Sequence, residues 1–175
     1  MIIPKQKTKY SIIIAIDPDV DGSGVALYID RTLATWRAKL PELVRYLDDF
    51  RKHYGSCNFV VVVEASYLVP ANWHLEKDDS RAKAAAKGKR VGRNHEIGRQ
   101  IVEFCKYFNI PYEEKLPLKK IWHGRDGKIT KSELESLCQG SNIGYKFASN
   151  DQEQRDAALL AIDCSGIPMI MAPMK

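Results

Sequence analysis

Closely spaced cysteines are missing from this chain. Cys57, Cys105, Cys138 and Cys164 lie far apart, with no C-x-x-C and no Cys/His spacing suited to zinc. Reduced, mostly buried thiols are therefore expected, as in a cytoplasmic protein. The opening MIIPKQKTKY lacks the apolar centre of an export signal, and no apolar run approaches the length of a membrane span. No membrane partner is expected. Internal repeats and linker-like stretches are absent, and an Ala/Lys tract is the one low-complexity segment. One domain over residues 1–175 is the expectation. A second glycine-rich phosphate motif and a second domain are missing too, which disfavours a sugar-kinase or actin-like enzyme.

The composition is that of a folded protein, 45% hydrophobic and 28% charged. The net charge of +5 and the pI near 9.0 suit a polyanionic partner without requiring one. Against this basic background the stretch IIIAIDPDVDG stands out. An apolar strand over 10–16 ends in Asp17, Asp19 and Asp21. Asp21-Gly22-Ser23-Gly24 has hairpin-turn chemistry, and 24–29 reads as the returning strand. A short third strand is expected around 32–36. Pro41 opens a helix whose apolar face carries Leu43, Leu47 and Phe50, and Gly55 stops it.

NFVVVVE, 58–64, reads as a strand buried on both faces and parallel to the first. KDDSRAKAAAKGKRVGR, 77–93, places six basic residues between Arg81 and Arg93 and reads as an exposed loop or a solvated helix start. A helix is expected over 94–108, then a strand within 110–118 and a turn at HGRDGK. Thr130 and Glu133 form a capping box for a helix to about Cys138. The last helix starts near Asn150 and Asp151. Helices joining parallel strands around an antiparallel meander make a mixed α/β layer fold.

Acidic residues fall at element ends. Asp17 and Glu64 close the two apolar strands, and Glu153 and Asp156, at i and i+3, share a face of the last helix. If the strands are neighbours and that helix crosses their ends, four carboxylates meet. Their repulsion favours a hard divalent cation, Mg²⁺ or Mn²⁺. Two such ions suit phosphodiester hydrolysis. Each residue also has a plainer reading: Asp17 as a turn residue before Pro18, Glu64 as a surface strand end, Glu153 as a capping partner of Asn150. Asp19 and Asp21 read as turn residues or solvated charges.

IDPD after an apolar strand, VVVVEASY at mid-chain and EQRDAALLA late in the chain together resemble the RuvC family of Holliday-junction resolvases, within the RNase H-like superfamily. The resemblance spans roughly residues 10–165. It implies an α/β fold, an RNase H-like mixed five-stranded sheet flanked by helices on both faces. It further implies a Mg²⁺-dependent homodimer, with two ions per site and Mn²⁺ able to substitute, that cuts four-way DNA junctions in recombination or repair. Asp17, Glu64, Glu153 and Asp156 take the catalytic positions, with Asp17, Glu64 and Asp156 as metal ligands. Tyr67 falls at the family's junction-facing aromatic, where a core tyrosine is the alternative. Lys119 and Lys131 fall in its basic stretch, and Arg90 and Arg93 in the basic segment are further candidate DNA contacts. The helix over 94–108 matches the family's dimer-forming helix in position. The chain departs from the pattern at Asp19, where the family usually has glycine, and in the length and charge of 77–93. It also departs at Glu153, for which Asp151 is the other candidate. A nuclease acting on RNA and a non-catalytic nucleic-acid-binding protein remain as alternatives, as do a phage and a bacterial origin.

Overall fold

The computed structural model describes residues 10–69, 79–147 and 151–173. Its first strand, β1 (Ile12–Asp17), is followed by β2 (Ser23–Ile29) and β3 (Thr32–Ala38) in an antiparallel meander. Helix α1 (Leu40–Tyr54) then leads to β4 (Phe59–Glu64), which returns parallel to β1. Helix α2 (Arg81–Tyr107) precedes β5 (Tyr112–Lys115), parallel to β4. Helix α3 (Lys131–Gly140), strand β6 (Gly144–Phe147) and helix α4 (Gln152–Cys164) complete the order.

The sheet runs β5-β4-β1-β2-β3-β6. It has six strands where five were expected, because β6 adds itself in parallel to the outer edge of β3. Side-chain alternation then sorts the strand residues onto two faces. Ile13, Ala15, Val60 and Val62 pack with residues of α3 and α4 such as Leu134, Leu137, Ala157 and Leu160. Ile12, Ile14, Ile16, Val61 and Val63 pack with Leu43, Leu47 and Phe50 of α1 and Ile101 and Cys105 of α2. Helices thus cover both faces. A β1–β2–β3 meander with β4 and β5 parallel to β1 is the RNase H-like arrangement.

The segment after Arg81 is helix, not loop. Ser80 caps it, its side chain accepting from Lys83 N at 3.3 Å, and the alanines that follow are strong helix formers. Residues 77 and 78 of that stretch lie outside the described residues. Close approach of α4 to the sheet depends on Gly24. A Cβ there would stand 2.0 Å from the Glu153 carbonyl oxygen, so only glycine lets the first turn of α4 lie on β2.

Candidate functional site

The alternation that buries Val60 and Val62 against α4 places Glu64 on that same face. Asp17 follows Ile13 and Ala15 onto it. The last registered pair of the two strands is Ile16–Val63, so Asp17 and Glu64 come next, side by side. α4 packs on β1 and β2 with Asp156 and Glu153 at this end. All four carboxylates line one cleft, walled opposite by the 117–129 loop with Lys119, Lys120 and Lys128.

Crowding shows in the proton affinities. Burial first, then the charges of Glu64 and Asp156, raise the Asp17 carboxyl well above its ordinary range. Burial and then Asp156 push Glu64 up to about 7. Lys128 pulls both back down, with Lys120 adding to the effect on Glu64. Glu153 is also raised, by burial and then by its hydrogen bond with Asp151.

Asp151 itself caps α4, accepting from Glu153 N at 3.0 Å, and pairs with Arg37 Nη1 at 2.9 Å. It is thereby committed outside the cleft, and Glu153 is the fourth carboxylate there. Arg37 also donates to the Gly22 carbonyl through Nε and Nη2 (3.1 and 2.8 Å), tying the β1–β2 turn to the start of α4.

Lys128 and Lys120 are cleft residues the sequence reading missed, and Lys128 reaches farthest in. Its Nζ donates to Asp156 Oδ2 at 2.6 Å, inside the acidic group. Burial opposes its charge, but Asp156 outweighs this and raises its proton affinity. Gln152 Nε2 donates to the other oxygen of Asp156 at 2.7 Å. The loop carrying Lys128 is pinned by the buried Glu133. Glu133 Oε1 accepts from His123 N and Nδ1 (3.0 and 2.7 Å), and Oε2 from Thr130 N and Oγ1 (2.9 and 2.8 Å). Burial alone would raise the Glu133 carboxyl, yet these donors hold it at about 2. The capping box was legible; its grip on His123 ten residues earlier was not.

The other named residues divide. Lys119 lines the cleft. Lys131, at the start of α3, lies 3.7 Å from Glu135 and is not part of the cleft wall. Tyr67 sits in a short 3₁₀ turn (Ser66–Leu68), donates to Glu114 Oε2 at 2.5 Å and has the Arg99 guanidinium 5.0 Å from its ring centre. Asp19 is not a solvated charge. It is 7% exposed, with Oδ1 accepting from Asp21 N (2.8 Å) and Oδ2 from Asn94 Nδ2 (3.0 Å). Arg90 lies 3.6 Å from Asp19 and 3.5 Å from Asp21, and both it and Arg93, one turn farther along α2, are exposed.

The donor set is all carboxylate oxygen, the chemistry that Mg²⁺ and Mn²⁺ prefer, and its mutual repulsion is what a cation relieves. The residues therefore fit a divalent ion. Among the described residues, however, no three Asp, Glu, His or Cys side chains converge as a finished metal cage. No helix among them is long and apolar enough to cross a membrane.

The fold is thus a mixed six-stranded α/β sheet covered by helices on both faces, with an acidic cleft beside the ends of β1 and β4. No protein-family model and no curated protein matches the chain. Among solved structures it is similar to "T. thermophilus RuvC in complex with Holliday junction substrate", at 12% identity and TM-score 0.46, covering 86% of this chain and 90% of that one. It is also similar to "Thermus thermophilus RuvC structure", at 13% identity and TM-score 0.43, covering 86% and 91%.

Proposed function

We propose that this chain is a divalent-metal-dependent endonuclease of branched DNA, cutting four-way junctions as a homodimer. The observation that carries this reading is the meeting of Asp17, Glu64, Glu153 and Asp156, from three separate elements, in one lysine-walled cleft. Asp17, Glu64 and Asp156 would hold the ion, Mg²⁺ or Mn²⁺. Bound there, it supplies positive charge to a phosphate and lowers the pKa of water. Glu153, next to these acids on the first turn of α4, orients the attacking water. Lys119 and Lys120, on the facing wall, hold phosphate oxygens. Arg93 and its neighbours on the outer face of α2 meet the DNA backbone beyond the cleft, and Tyr67 offers a ring edge near its mouth.

The test is incubation of the purified protein with a labelled four-way junction and a matched linear duplex, in Mg²⁺ or EDTA, beside Asp17→Asn. Paired cuts in the junction alone, lost in EDTA and in the variant, are the expected result. Tight junction binding without cleavage would make it a binding protein. Cleavage of RNA in place of DNA would move it to the RNA-directed reading.

A further inference from the structure

Two oxygens of Asp156 are engaged from within the chain, one by Lys128 Nζ at 2.6 Å and one by Gln152 Nε2 at 2.7 Å. The Lys128 side chain is 35% exposed and reaches from a stiff loop into the cleft that Asp17, Glu64 and Glu153 share. Its backbone is held on both sides, Lys128 N donating to Arg125 O (3.1 Å) and Gly124 N to Lys128 O (3.0 Å). A side chain at Gly124 would collide with that same Lys128 oxygen, at 2.3 Å. Glu133 fastens both stems of the loop, through His123 and Thr130. The ammonium is thus delivered to Asp156 by construction.

A lysine ammonium and a divalent ion want the same carboxylate oxygen, and both cannot have it. We propose that Lys128 is a tethered competitor for the divalent cation. It occupies Asp156 while the site is empty of metal, and it must leave Asp156 before that carboxylate can bind an ion. Freed, the ammonium stands at the cleft wall beside Lys119 and Lys120, on the side where a phosphate would lie. The inference rests on the metal-dependent reading above and adds a residue that sets how readily the site loads.

If the paired state holds about nine-tenths of the molecules, apparent metal affinity is lowered about tenfold, and removing the competitor restores it. The experiment is calorimetric titration of Mn²⁺ into the full chain without DNA. Wild type, Lys128→Met, Lys128→Gln, Lys120→Met and Lys128→Met/Asp156→Asn are compared, with circular dichroism to confirm folding. Lys120 lines the same cleft and controls for the loss of one positive charge. The expected result is Mn²⁺ binding about tenfold tighter in both Lys128 variants, a much smaller gain in Lys120→Met, and loss of the gain when Asp156 is also changed. Equal gains at Lys120 and Lys128, or no gain at Lys128, would overturn the competitor role and leave the metal-dependent reading standing. Absence of Mn²⁺ binding in every protein would overturn both.

Discussion

Asp17 is where the electrostatic cost of the site concentrates. It ends a strand whose five preceding residues are buried, and it faces three other carboxylates. An amide of the same shape removes the repulsion while keeping the packing, so Asp17→Asn is expected to raise the melting temperature in EDTA. Under the proposed function the same change is expected to lower metal-dependent cleavage by at least about a hundredfold, because a proposed metal ligand is lost. Differential scanning fluorimetry with and without Mn²⁺ checks the first part: the ion should stabilise wild type and not the variant. Glu133 is the opposite kind of acid. Its carboxyl lies at about 2 in the folded protein against an ordinary 4.5. A depressed carboxyl stabilises the fold above its unfolded value, and the contribution disappears as pH falls from 4.5 toward 2. The shift corresponds to about 3 kcal/mol. Urea unfolding of wild type and Glu133→Gln across that interval should show the acid-dependent loss in wild type alone.

At the scale of elements, the helix–sheet contact at Gly24 decides whether α4 can deliver its two acids. With the Glu153 carbonyl 2.0 Å from a Cβ at that position, Gly24→Ala must push the helix off β2. Loss of about 3 kcal/mol, at the upper end of overpacking costs, is expected from chemical denaturation, together with weakened Mn²⁺ binding. The strands and helices that bring the acids together were legible because apolar runs ending in carboxylates are local patterns. Asp17, Glu64 and the spacing of Glu153 and Asp156 needed only that reading. Strand β6 was not legible: GYKF is four residues long and gains its place only by pairing with β3. The first half of α2 has no apolar periodicity, so alanine propensity and the Ser80 cap decide it. Lys128 is one lysine among several in its loop, and its selection depends on turn geometry and on Glu133, a tertiary relation with no local signature. Asp19 is the turn residue the sequence suggests, with Asp21 N on its Oδ1, but its burial under Asn94 and Arg90 of α2 has no local signature.

For the molecule as a whole, charge is divided between internal pairing and outward display. On α2, Lys83 and Lys87 lie within 2.8 Å of Asp79, and Arg90 faces Asp19 and Asp21. Lys89 and Arg93 are exposed as well. Lys89→Ala and Arg93→Ala should each reduce the slope of log binding constant against log salt for a DNA junction by about one. Fluorescence anisotropy over a salt series measures this. Arg90→Ala should instead lower stability with less effect on the slope, because its charge is spent on the β1–β2 turn.

The four acids of the cleft are also far apart along the chain, two at the ends of β1 and β4 and two on its last described helix. While the chain is being synthesised, Asp17 and Glu64 can already lie on a forming sheet, but Glu153 and Asp156 arrive only after β5, α3 and β6 have emerged. Contacts of such long sequence separation form late. The acidic cleft is therefore complete only once α4 has docked, and a product lacking α4 carries two of its four carboxylates.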